Sequence, residues 1–200
     1  MINKMLNEKV KQIKPSGIRR FFDIAATMEG VVSLGIGEPD FPTPAHVRDV
    51  GIKSIIEKGT AYTANVGLIE LRRSISKYLE RRFALEYNPE NQILVTVGAS
   101  EAVDLALRAV VEPGDEVLVP EPTYVSYAPT AVLAGGVAVP VPTYEKDNFR
   151  LTADVIKSLI TPKTKAIVFC YPNNPTGAVM EEQDLREIAE VLRQHNILVI

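Results

Sequence analysis

Three short stretches of this 200-residue chain combine residue types able to hold a small molecule. The first is "GASEA", residues 98–102. Gly98 allows a tight turn, and Ala99, Ser100 and Glu101 would open a helix. Their free N–H groups beside a hydroxyl make a ready anion site. A capped helix start is the simpler reading of a lone Gly-Ala-Ser. The stretch has neither the glycine pattern of dinucleotide sites nor the lysine of nucleotide-triphosphate loops. The second is "PEPTYVSY", residues 120–127, where two prolines stiffen the chain and set Tyr124 at the mouth of a helix. A ring held there can stack on a planar ligand, although a single such tyrosine reads first as a rim or core residue. The third is "YPNNPTGA", residues 171–178. Asn174 precedes Pro175, so it is pushed away from helical geometry, and the bond between them can be cis. Its amide then becomes a well-oriented donor and acceptor. A plain turn before a helix is an equal reading of that stretch alone.

The elements around these stretches are what would bring them together. Strands are expected at 92–97 (QILVTV), 115–119 (DEVLV), 136–141 (GVAVPV), 165–170 (KAIVFC) and 197–200 (ILVI). Helices fall between them, at about 100–111, 123–134, 152–160 and 181–194. Short β-branched runs alternating with helices imply βαβ units on a mostly parallel sheet, with helices on both faces and right-handed crossovers. Ligands of such sheets bind beyond the carboxyl ends of the strands. Each of the three stretches follows one of those ends. An anion cradle, a stacking ring and a rigid amide together suit a flat, phosphorylated, oxygen-bearing aromatic ligand.

Residues 1–43 read differently. A polar helix is expected near 3–13, and Ile18, Phe21, Phe22, Ile24 and Ala25 then recur at roughly helical spacing. "VVSLGIGEPDFPTP" follows, an apolar run broken by glycines and prolines of the kind that lines sites or crosses between domains. A helix is expected from Pro44 to about Glu57, with Thr43 able to cap it. Residues 67–84 place Leu68, Leu71, Ile75, Tyr78 and Leu79 on one face of an amphipathic helix. The Arg72-Arg73 and Arg81-Arg82 pairs read as its solvated face, with a dimer contact as the alternative. The division is therefore 1–43, an N-terminal arm and part of a small domain, and 44–200, a larger domain.

Bulk properties narrow the classes. Apolar residues make up 46% and charged residues 24%, enough for a sizeable core. A net charge of −3 without a basic stripe speaks against nucleic acid. Cys170 is the single cysteine, so no internal disulfide can form, and a reducing compartment is favoured. There is no secretory h-region and no apolar run of membrane-spanning length. A soluble cytoplasmic protein is the expectation. His46 and His195 have no metal-ligand partner at a plausible spacing, so no metal is expected. The last expected strand reaches Ile200 without a connection after it, which reads as the front part of a longer protein.

With these residues in view, the chain resembles the fold-type I pyridoxal-phosphate enzymes, specifically the class I/II aminotransferases. The resemblance runs from about Lys14 to Ile200. It rests on "SLGIGEPDFPTP", "YTANVGLIELRRSI", "VTVGASEA", "EPTYVSY" and "NNPTGA" in that order. It implies that Ala99 and Ser100 hold the phosphate of pyridoxal 5'-phosphate, that Tyr124 stacks on its ring and that Asn174 bonds its 3-oxygen. Tyr62 would reach the phosphate of a partner subunit's cofactor, which implies a homodimer with shared active sites. Gly37 and Asn174 would border the substrate, Gly37 through its backbone near the substrate's carboxylate. The implied reaction moves an amino group between an L-amino acid and a 2-oxo acid by a ping-pong route. The family also needs a Schiff-base lysine, an acid for the pyridinium nitrogen and a carboxylate-binding arginine. No lysine here stands in a matching motif: Lys53, Lys58 and Lys77 fall on helix faces, and Lys163 and Lys165 flank a strand start. No catalytic residue is therefore assigned within these residues. Another fold-type I reaction, such as carbon–sulfur lysis, and a non-catalytic truncated relative are the alternatives.

Overall fold

A computed structural model describes residues 5–15, 17–32, 35, 37, 39–58 and 60–200. The first residues of the expected 3–13 helix, part of the "SLGIGEP" turn (Ser33, Leu34, Ile36 and Glu38) and the Lys58 side chain lie outside the described residues. The chain divides into two compact units, Met1–Pro15 with Val97–Ile200, and Ser16–Thr96. Helices α1 (Glu8–Gln12), α2 (Ile18–Ala26), α3 (Ala45–Lys58) and α4 (Ile69–Phe83) come first. Then α5 (Ala99–Val110), β1 (Glu116–Glu121), α6 (Tyr127–Ala134) and β2 (Val137–Pro142) begin an alternation. It continues through α7 (Ala153–Leu159), β3 (Thr164–Ile167), α8 (Glu182–Gln194) and β4 (Leu198–Val199).

In the larger unit the four strands form one parallel sheet in the order β2-β1-β3-β4. Side chains alternate across a strand, and the core divides accordingly. Val117, Val119, Ala166 and Val168 face one side, packed with Leu107 of α5 and Ala131 of α6. Leu118 and Ile167 face the other, packed with Ile156 of α7 and Ile188 and Leu192 of α8. Each fully buried Val, Leu or Ile contributes about 1.5–3 kcal/mol relative to exposure, so this two-sided burial is what holds the layers. Pro140 and Pro142 sit on β2, which ends the sheet among the described residues. A residue without an N–H is tolerated on such an edge.

The connections follow a single rule. Helix α6, which carries the chain from β1 outward to β2, lies on one face. Helices α7 and α8, which carry it in the opposite direction across the sheet, lie on the other. That is what crossovers of one handedness require. As a result the loops leaving the neighbouring strands β1 and β3 part toward opposite faces, and a crevice opens between them at their carboxyl ends.

Two local expectations are corrected. Residues 92–97 do not form a strand: residues 93–96 lie outside any ladder, and the Val95 N–H donates to the Val66 carbonyl at 3.1 Å. An apolar β-branched run becomes a strand only with a neighbour to pair with, and the ladders of the described residues do not include it. Leu94 and Val97 are exposed. The second correction concerns Arg72, read from sequence as part of a solvated face. It is 6% exposed, and its guanidinium donates to the carbonyls of Gly67 (3.1 Å), Glu90 (3.2 Å) and Pro89. Arginine has five donors in a planar fork, enough to satisfy several buried carbonyls at once. Gly67 has φ +93°, and a Cβ there would come within 2.7 Å of Val95, so the turn that Arg72 clamps admits only glycine. Its neighbour Arg73 does face solvent and pairs with Glu90 at 3.1 Å.

Candidate functional site

The first site element is the start of α5. A short turn, residues 111–115, joins α5 to β1, so the helix runs back alongside the strand. Its 12 residues span about 18 Å and the 6 of β1 about 20 Å, which sets the N-terminus of α5 level with the carboxyl end of β1. The first intrahelical bond runs from Ala102 N–H to the Gly98 carbonyl at 3.4 Å. The amides of Ala99, Ser100 and Glu101 come before it and have no helical acceptor. Gly98 has φ +89° and ψ 166°, backbone that a side chain would strain, so the glycine is what lets the chain turn into the helix here. Ala99 and Ser100 are exposed. Glu101, given no role from sequence, accepts a hydrogen bond from the Val97 N–H and closes the turn from below.

The second element is the exit from β1. The Glu121–Pro122 bond is cis, and the chain reaches α6 through Thr123–Ser126. Tyr124, 39% exposed, borders a cleft of about 560 Å³ with Val119, Glu121, Pro122, Ala128 and Pro142. Its ring meets Tyr127 edge-on, with centroids 5.6 Å apart and planes at 73°. Burial pushes the Tyr127 phenol up to about 12, with the neighbouring Cys170 acting in the same direction.

The third element is the loop after β3. Sequence singles out Asn174 by the proline after it and gives Asn173 no role, and here the two take different places. Asn173 is 7% exposed. Its side-chain oxygen accepts from the Thr176 N–H (3.2 Å) and hydroxyl (3.0 Å). Its backbone N–H donates to Ala178, and its carbonyl accepts from Gly177. Asn173 builds the loop, whereas Asn174 is exposed on it, with a cis bond to Pro175. The loop is also fastened at both ends to one segment. The Tyr171 hydroxyl donates to the Phe149 carbonyl at 3.3 Å. Arg150 donates to Asp184 at 3.0 Å, and Asp184 also completes the capping box at the start of α8. Burial raises the Tyr171 phenol above its ordinary value, so the hydroxyl stays a donor. No sequence signal marks Arg150, because the contact joins residues 34 positions apart.

Ala99, Ser100, Tyr124 and Asn174 therefore belong to connections at the carboxyl ends of one sheet, and the cleft beside Tyr124 is lined by residues of β1 and β2, Val119 and Pro142 among them. Gly37 and Tyr62 belong to the other unit. Tyr62 is fully exposed. Gly37 has no heavy atom within 4 Å of where a Cβ would stand, so crowding within the chain is not what requires a glycine.

Comparison with known proteins bears on the family and the fold. The family model described as aminotransferase class I and II matches residues 29–200. The Bacillus subtilis (strain 168) protein YugH, named as an aminotransferase, is 53% identical over 195 residues, covering 98% of this chain and 50% of its own length. Aromatic-amino-acid aminotransferase 2 of Thermococcus litoralis is 42% identical over 196 residues, again 98% of this chain and 50% of its own. Among solved structures, the aspartate aminotransferase of Thermus thermophilus with maleate superposes with a TM-score of 0.89 at 36% identity, over 97% of this chain and 52% of that one. The chain spans about half the length of the curated relatives it matches. It belongs to the aminotransferase class I and II family.

Proposed function

We propose that the whole protein transfers an amino group between an L-amino acid and a 2-oxo acid with pyridoxal 5'-phosphate, in the cytoplasm and as a homodimer. The observation that carries this reading is that an amide-lined helix start, an open aromatic ring and an exposed amide all belong to connections at the carboxyl ends of one parallel sheet. These residues fit the cofactor. Its phosphate suits the first-turn amides of α5 with the Ser100 hydroxyl, since both the dipole and the N–H groups favour an anion. Its flat ring suits Tyr124 beside the cleft, and its ring oxygen suits the Asn174 amide. When bound, pyridoxal phosphate supplies an electron sink that weakens bonds at the substrate's α-carbon.

The chain's own residues bind, orient and confine. Ala99 and Ser100 anchor the charged end, Tyr124 fixes the plane, and Asn174, held by the Asn173 turn, sets the rotation within that plane. Gly37 is proposed to border the substrate's carboxylate and Tyr62 to serve the partner subunit's site. Exposed apolar residues on α3, among them Val50 and Ile56, support a large covered interface. Residues 1–43 are proposed to contribute to a small domain and 44–200 to the cofactor-binding domain. No lysine of these 200 residues stands in a cofactor-anchoring motif, so they are proposed to be inactive alone.

The test is to incubate the full-length protein with single L-amino acids and 2-oxoglutarate. Glutamate should form in step with the new 2-oxo acid. Pyruvate and ammonia released without any 2-oxo acid acceptor would overturn the aminotransferase reading in favour of a lyase. The relatives' names include aspartate, aromatic-amino-acid and N-acetyl-LL-diaminopimelate aminotransferases, and the same assay over these classes decides the preference.

A further inference from the structure

We propose that Tyr127 is a positioning residue for the ring platform: packed against the core of the sheet, it holds Tyr124 edge-on. The inference rests on the pyridoxal-phosphate reading above. Tyr124 and Tyr127 are one turn apart, and the Tyr127 N–H donates to the Tyr124 carbonyl at 3.3 Å. Their rings meet at 5.6 Å and 73°, the edge-to-face geometry that aromatic pairs favour. The two tyrosines differ in freedom. Tyr127 packs against the core formed by Leu107, Val117, Val119 and Val168, whereas Tyr124 borders the open cleft.

A ring that must lie flat against a ligand on one side needs a fixed support elsewhere, or its χ angles broaden the bound geometry. Tyr127 is that support, because the core against which it packs holds its ring in place.

The full-length protein and its Tyr127→Leu and Tyr127→Phe variants test this. Each is stripped of cofactor and titrated with pyridoxal phosphate, and the induced circular dichroism of the bound cofactor is recorded. Losing the edge-to-face partner should weaken pyridoxal-phosphate binding about five-fold in Tyr127→Leu, with a marked change in the induced dichroism. Tyr127→Phe keeps the ring edge and should stay within about two-fold of wild type in affinity, with a smaller dichroism change. A Leu192→Ala variant, which loosens the core on the opposite face, should lose stability and leave the induced dichroism unchanged. Folded Tyr127→Leu protein with wild-type affinity and dichroism would overturn the proposal. If Tyr127→Leu does not fold, Tyr127→Met decides, since it fills the core without a ring edge, and wild-type affinity and dichroism in it would equally overturn the proposal. A wild-type protein that takes up no pyridoxal phosphate would sink the proposed function and this inference with it. Uptake by wild type with indifferent variants sinks the inference alone.

Discussion

At the scale of single residues, side chains that build the site matter as much as those that face a ligand. Asn173 accepts two hydrogen bonds from Thr176 inside the loop that displays Asn174. Asn173→Ala should cost about 1–2 kcal/mol in chemical denaturation. It should also loosen pyridoxal phosphate in the full-length protein, because the loop no longer presents Asn174 in one orientation. Arg72 makes the same point away from the crevice. Arg72→Ala leaves the carbonyls of Gly67, Pro89 and Glu90 without their donor. A loss of about 2–3 kcal/mol is expected, and Arg72→Lys should recover only part of it, since an ammonium lacks the planar fork. Equal stability of Arg72→Ala and wild type would contradict the buried clamp. Tyr127 adds a pH signature. Its folded value of about 12 lies above the ordinary 10.0, chiefly through burial. The associated stabilisation is full below about pH 10 and is lost as pH rises through about 12. Denaturation midpoints should therefore fall more steeply across that window in wild type than in Tyr127→Phe.

At the scale of elements, the site depends on how helices start. The N-terminus of α5 is usable because Gly98 turns the chain at φ +89°. Gly98→Val forces a β-branched residue into that backbone, at a cost of about 1–2 kcal/mol. The first-turn amides should shift with it, and the expected result is a larger loss of affinity for pyridoxal phosphate than for pyridoxal, read by parallel titrations. Equal losses for both would show that the amides do not serve the phosphate. The start of α8 is held by the Arg150–Asp184 pair. A double-mutant cycle of Arg150→Ala and Asp184→Ala should give a coupling of about 1 kcal/mol, because the pair is only partly exposed.

At the scale of the whole molecule, the topology makes a site out of separate strand exits. With β1 and β3 adjacent and their following helices on opposite faces, the two loops must diverge, one carrying Tyr124 and the other Asn174. The proposed homodimer belongs to this scale. Native mass spectrometry of the full-length protein should show twice the subunit mass. Tyr62→Ala should weaken cofactor binding while leaving assembly intact, because the residue is fully exposed and serves no packing within its own chain.

Sequence alone determined the α/β alternation, the parallel sheet and the three stretches at the strand ends. Those features are local: β-branched runs, helix periodicity and the conformational limits of glycine and proline act within a few residues of one another. Tertiary structure decided what depends on partners distant in sequence. Residues 92–97 have full strand composition yet form no strand, because β-structure needs a neighbour as well as a propensity. Arg72 looks solvated on a helical wheel and is buried, because the carbonyls it serves arrive from residues 89 and 90. The two asparagines of "NNP" are chemically alike, and only the fold of the loop turns one inward to accept hydrogen bonds and leaves the other exposed. Tyr127 is an ordinary helix residue until packing sets its ring edge-on to Tyr124. Composition and periodicity encode which groups are available, and packing decides which of them meet.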